Sequence, residues 1–173
     1  MSGLFTIPVS GMKEGRHHYD FELDNEFFAQ FEDPETEEGS LVAHIEADKV
    51  STHIDLLIRI SGVVSLMCDR CLGKFSRNLE CENRLLLKFG EDIGDEDPDI
   101  ITMPADEYEL DLKQILYEYI VLSLPIRRVH PDDLQGRSTC DPDMLAKLKE
   151  HIISGGIEND PRWDELKKLM NNN

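Results

Sequence analysis

The sequence predicts an α+β fold: an antiparallel β-meander with a few packed helices and a flexible C-terminal extension. Three observations carry this. Leu41, Ala43, Ile45 and Ala47 alternate with polar residues, and "THIDLLIRISGVVSLMC" follows as a long β-rich run. Leu79, Cys81, Asn83, Leu85, Leu87 and Phe89 then share one parity, so three strands follow one another through short turns; parallel pairing would need long crossovers. Finally, Leu112, Ile115, Leu116, Tyr119 and Ile120 recur at helical spacing until Pro125 stops them.

Taken in order, "LFTIPVSGMKEGRHHYDFEL" alternates on both sides of a glycine-containing turn and reads as a hairpin. "DNEFFAQFE" offers Asp24 or Asn25 as an N-cap before an apolar Phe27, Phe28, Phe31 face, which predicts a short helix. "DPETEEGS" is a polar loop. Within the second strand of the meander, Gly62 marks a bulge or bend. Cys68 to Phe75 forms the turn to the third strand, where Asn83 interrupts an otherwise apolar face. The acidic stretch that follows, with Gly94, Pro98 and Pro104, reads as a long exposed loop. Asp111 is positioned to cap the helix ending at Leu124-Pro125. After the loop "HPDDLQGRSTCDPD", "PDMLAKLKEHIIS" reads as a second long helix halted by Gly155-Gly156, and "DPRWDELKKLMNNN" as a short amphipathic helix from Pro161. The expected organisation is one α+β domain over 1–153 and a C-terminal extension over 154–173 bearing that basic helix.

The chain has 173 residues, 40% hydrophobic and 31% charged, which suits a packed core. No apolar run is long enough to cross a bilayer, and the start lacks the order of a secretion signal, so a cytoplasmic protein with thiols rather than disulfides is expected and no membrane partner. Thirty-six acids against 18 Lys and Arg give a formal net charge of −18. The charge is unevenly spread. No Lys or Arg occurs from Asp20 to Asp48 or from Glu91 to Asp111. Basic residues gather at Arg70, Lys74 and Arg77, at Arg127 and Arg128, and in the tail. Ordinary solvated charge explains such clusters. So does a polar molecule with one basic face and, around Asp92, Asp95, Glu96 and Asp97, a wide acidic surface for a basic protein partner. Trp163 and Leu166 begin a stripe that either docks a partner or packs back on its own domain.

Catalytic signatures are missing: there is no G-x-S-x-G, H-E-x-x-H, phosphate-cradling loop or dinucleotide fingerprint. No enzyme and no small-molecule substrate is therefore expected. The chemistry-bearing motif is Cys68-x-x-Cys71. A redox pair would open a helix, whereas "CDRC" precedes a turn and a strand. One structural zinc would need four ligands, and His130 and Cys140 in the later polar loop are the candidates to join Cys68 and Cys71. The remaining reading is that the thiols only pack the turn.

"VSLMCDRCLGKF", "ELDLKQILYEYIVLSLPIRRVH" with its downstream cysteine, and "DPRWDELKKL" occur in an order that resembles the YceD family of bacteria and plastids, named for large ribosomal RNA subunit accumulation. The resemblance runs from about residue 40 to the end. It implies a non-enzymatic accessory role in accumulation of 23S ribosomal RNA. Its implied partners are ribosomal RNA or its precursor and a basic large-subunit ribosomal protein. A module that binds such a protein without touching RNA is the alternative, and a small metal- or thiol-dependent enzyme a minor one. Some relatives have a fuller cysteine-rich ending; only His130 and Cys140 stand there in this chain, which leaves room for a mixed site.

Overall fold

The computed structural model describes residues 4–32, 34–36, 38–90, 99–104 and 107–151. The chain divides into two compact units, Met1–Val129 and His130–Asn173.

The first unit is built on a five-stranded sheet of order β2-β3-β4-β5-β6, formed by Gly15–Leu23, Gly39–Lys49, His53–Met67, Lys74–Phe89 and Ile100–Met103. The β3-β4-β5 meander is antiparallel, as its alternating sequence predicts. Each strand turns its apolar parity to one face. Leu41, Ala43, Ile45 and Ala47 of β3, Ile54, Leu56, Ile58 and Ile60 of β4, and Leu79, Leu85 and Leu87 of β5 are buried. Burying one such aliphatic side chain contributes about 1.5–3 kcal/mol, so the shared face fixes the register: a one-residue slip would turn every one of these residues to solvent. Asn83 keeps this inward parity but is only half-buried. The opposite face is polar. There Arg59 Nη1 donates to Glu46 Oε1 at 2.8 Å and its Nε to Glu82 Oε2 at 2.7 Å. These bonds hold the Glu46 carboxyl below the usual range and raise the guanidinium pKa.

Three expectations are corrected. The N-terminal segment forms no local hairpin: β1, Thr6–Pro8, pairs with β7, Glu109–Asp111, while β2 pairs with β3. Short alternating strands match many partners, and the non-local partner buries Phe5, Ile7, Val9 and Leu110. Gly62 is not a bulge, because pairing runs through it without a shift on both sides. It is nonetheless a special residue. Its φ is +150°, and a Cβ there would strike the Ser40 carbonyl and approach the Leu41 Cα to 2.7 Å. The acidic stretch is not all loop: Ile100–Met103 pairs in parallel with Leu86–Phe89 of β5. Residues 91–98 lie outside the described residues.

Helix α1, Asn25–Phe28, begins where expected, with Asp24 Oδ1 accepting the Glu26 and Phe27 N–H groups at 2.9 and 3.3 Å. Phe27 and Phe28 are buried, and Phe31 stacks on Tyr117 with centroids 3.9 Å apart. That stack joins the α1 segment to helix α2, Lys113–Ser123, which packs along β5 through buried Leu116 and Ile120. Leu112, rather than Asp111, occupies the N-cap position of α2, while Asp111 Oδ1 accepts the Lys113 N–H at 2.8 Å.

The second unit is described to His151. Its loop is organised by Asp133, whose Oδ1 accepts the Gln135 and Arg137 N–H groups at 2.9 Å each and whose Oδ2 accepts Arg137 Nε at 2.9 Å. Gly136 turns the chain at φ +75°, and Asp132 and Ser138 form an isolated antiparallel bridge. Helix α3, Pro142–His151, starts on Asp141, whose Oδ1 accepts the Asp143 and Met144 N–H groups at 2.8 and 3.3 Å. The expected helix from Pro161 lies outside the described residues.

Two outcomes follow. Gly62→Ala is expected to destabilise the protein by about 2–4 kcal/mol, because strain and a backbone clash coincide in a central strand; chemical denaturation with an unchanged slope measures this. The Asp133 carboxyl is held below the usual aspartate range, chiefly by the Arg137 N–H and then by the Arg137 side chain. A depressed carboxyl pKa stabilises fully above the unfolded value and loses that effect as pH falls through the folded one. Protection of the Arg137 amide from exchange is thus expected to hold near neutrality and to be lost only as pH falls below the usual aspartate range; in Asp133→Asn it should be low at every pH.

Candidate metal centre

The long β4–β5 ladder closes in the turn Cys68–Gly73. Within it the Cys68 N–H donates to the Gly73 carbonyl and the Leu72 N–H to the Cys68 carbonyl, both at 2.9 Å. Leu72 reaches that geometry at φ +60°, the one non-glycine residue with positive φ among those described, and its side chain is exposed. A leucine in this region costs about 1–2 kcal/mol. The turn thus carries one strained residue, next to Cys71. Both cysteines are buried, at 0% and 5% exposure.

A second chain segment is tied to this turn. The Asp69 N–H donates to the Arg128 carbonyl at 2.7 Å, and Asp69 Oδ2 accepts the Arg128 N–H at 2.6 Å. This reciprocal pair fixes the backbone after Pro125, two residues before His130. The Arg128 side chain is anchored as well, its Nη2 donating to Glu35 Oε2 at 2.7 Å. Neither Asp69 nor Glu35 was marked by the sequence. An aspartate between two cysteines has no periodicity to betray a contact 59 residues away.

In the second unit Cys140, 6% exposed, places its Sγ 3.7 Å from His130 Nδ1. The four residues singled out by spacing come together: Cys68, Cys71, His130 and Cys140 each offer a ligand atom, and these atoms all lie within 4.8 Å of one another. Three sulfurs and one imidazole nitrogen form a donor set of the structural zinc type. A tetrahedral centre with zinc–ligand bonds of about 2.0–2.3 Å has edges near 3.5–3.8 Å. The Cys140–His130 distance of 3.7 Å is of that length. Such a site is compatible with a metal ion. It is the one such grouping of His, Cys, Asp and Glu among the described residues. All four cysteines are thiols rather than disulfides. Cys81 lies apart from them, half-buried on β5 with its Sγ 4.0 Å from the Tyr119 carbonyl.

The basic residues proposed from sequence differ in their freedom. Lys74 is bound to Glu38 at 2.8 Å, which holds that carboxyl below the usual range, and Arg128 is bound to Glu35. Arg70, Arg77 and Arg127 make no ion pair among the described residues; Arg77 and Arg127 are exposed and Arg70 is half-buried. Asp92, Asp95, Glu96, Asp97, Trp163 and Leu166 lie outside the described residues. No helix among those described is long and apolar enough to cross a membrane.

Comparison with known proteins places this site in context. Neither a curated protein nor a solved structure matches the chain. One family model does match, that of the large ribosomal RNA subunit accumulation protein YceD, over residues 56–170. That span begins in β4, includes all four clustered residues and covers most of the sequence, so the chain belongs to the YceD family.

Proposed function

We propose that this protein is a non-enzymatic, cytoplasmic accessory factor for accumulation of 23S ribosomal RNA, with Cys68, Cys71, His130 and Cys140 holding one structural zinc. The family match carries the first part of this reading, since the family is named for that role. The donor set and its spacing support the second. A zinc ion held by these four residues would have no open position for a substrate and so would supply structure rather than reaction chemistry.

In this reading Arg70, Arg77 and Arg127, with no acidic partner among the described residues, meet the phosphate backbone of ribosomal RNA or its precursor. Lys74 can join them by exchanging its partner Glu38, for exposed ion pairs hold by only about 0–1 kcal/mol, while Arg128 joins them only by giving up its anchor on Glu35. The acidic surface, with Asp92, Asp95, Glu96 and Asp97, attracts a basic large-subunit ribosomal protein, and Trp163 and Leu166 add an apolar anchor for it. One observation favours the alternative of a protein-binding module without RNA contact. Two of the five basic candidates are already engaged by Glu38 and Glu35, on a chain of net charge −18.

Elemental analysis of untagged protein is expected to give about one zinc per chain, lost in both Cys68→Ser and His130→Ala. Metal-free wild-type protein would remove the zinc from this account. RNA contact is read separately. With a precursor 23S fragment as the probe, affinity should fall steeply with salt. Neutralising Arg70, Arg77 and Arg127 together should lower the logarithmic salt slope by about 2–3. An unchanged slope, with binding to a basic ribosomal protein intact, would select the alternative.

A further inference from the structure

The two edges of the five-stranded sheet are unlike. β6 is short, with four residues. β2 is nine residues long, contains no proline and pairs on one side only, with β3. Among the described residues no strand or backbone group bonds to its outer edge. Edges of this length and regularity are ordinarily blunted by bulges, prolines or a covering element, because their backbone groups template another strand.

The side chains of β2 show what kind of strand fits. His17, Tyr19 and Phe21 point to the sheet's apolar face but are half-buried, whereas their β3 neighbours Ala47, Ile45 and Ala43 are at most 1% exposed. The apolar layer thus runs out at β2, where one more strand would cover it. On the polar face the order is Arg16, His18, Asp20, Glu22: two donors or cations, then two acids. Such a strand is complementary to its own reverse. Antiparallel pairing centred on Tyr19 sets Arg16 against Glu22 and His18 against Asp20 of the second copy, twice by symmetry, with His17 against Phe21 on the apolar side. Shifting the register by two residues sets Asp20 against Asp20 in one direction, or His18 against His18 in the other. Within Gly15–Leu23 only the centred register sets every basic or imidazole side chain of the polar face against an acid. His44 Nδ1 engages Asp20 Oδ1 at 2.6 Å, which leaves Oδ2 for a second donor.

We infer that β2 is a homodimer interface: two copies of this chain join edge to edge about a twofold axis at Tyr19, extending the sheet continuously across both. This is an isologous contact, in which the same patch serves both partners. Its backbone ladder supplies affinity and its charge order supplies register. The net charge of −18 on each copy opposes association, and salt of physiological strength screens that long-range repulsion beyond about 8 Å while the paired strands remain in contact. The inference is independent of the metal centre and of RNA.

Sedimentation velocity on the full chain at physiological salt, from low to high micromolar concentration, is the test. Wild type is expected to shift reversibly from monomer to dimer. Arg16→Glu and Glu22→Arg, both at exposed positions, each turn two attractive pairs into repulsive ones and should weaken the dimer by about tenfold or more. The double variant Arg16→Glu/Glu22→Arg reverses both partners and should restore it. A wild type that stays monomeric throughout, single variants that dimerise like wild type, or a double variant no better than the singles would each overturn the interface.

Discussion

The antiparallel ladder between β4 and β5 is the constraint on which the rest of the structure depends. It pairs all fifteen residues of β4, from His53 to Met67, with β5 and without a register break. The inward parity of β4 carries Ile54, Leu56, Ile58 and Ile60 into the core, and that of β5 carries Leu85 and Leu87. Because the register is locked by buried area along its whole length, the position of the closing turn is locked with it. Cys68 and Cys71 therefore present their thiols from the end of a rigid hairpin. Placing ligands on a preorganised element lowers the entropy lost when they gather around an ion.

The reciprocal hydrogen bonds between Asp69 and Arg128 tie the chain after Pro125 to the same turn. Helix α2 prepares that return. It packs on β5 through Leu116 and Ile120 and ends at Ser123, and the extended backbone of Leu124 turns the chain out of the helix at Pro125. Arg128 thereby acts as a structural residue as well as a basic one, which separates it from Arg70, Arg77 and Arg127. The electrostatic character of the molecule fits this division. Among the described residues Arg59, Arg128 and Arg137 each have a carboxylate partner, whereas Arg70, Arg77 and Arg127, in or near the turn and the post-helix segment, make no ion pair, and neither do Arg16 and Arg84 on the sheet.

Much of this was legible from residue order. Alternation exposed β3, β4 and β5, because each has one buried face and period two follows from the pleat. Leu112, Leu116 and Ile120 exposed α2 by their spacing, and Asp24 announced α1. The four clustered residues could be named because thiols and imidazoles are rare and sit in turns, where convergence needs no long regular element. What could not be read was non-local. β1 has three residues, and nothing in "TIP" says that its partner is Glu109–Asp111 rather than the neighbouring β2. β6 hid behind an acidic, proline-marked stretch, because a parallel edge strand of four residues has too little alternation to stand out. Gly62 stands out in the sequence as a glycine inside a strand, but it serves close strand approach rather than a bulge.

The central proposal is that Cys68, Cys71, His130 and Cys140 hold one structural zinc. X-ray absorption at the zinc edge tests it most directly, on protein loaded with one equivalent of metal. The account predicts a shell of three sulfurs at about 2.3 Å and one imidazole nitrogen at about 2.0 Å. A shell dominated by oxygen and nitrogen, or one of four sulfurs, would contradict it.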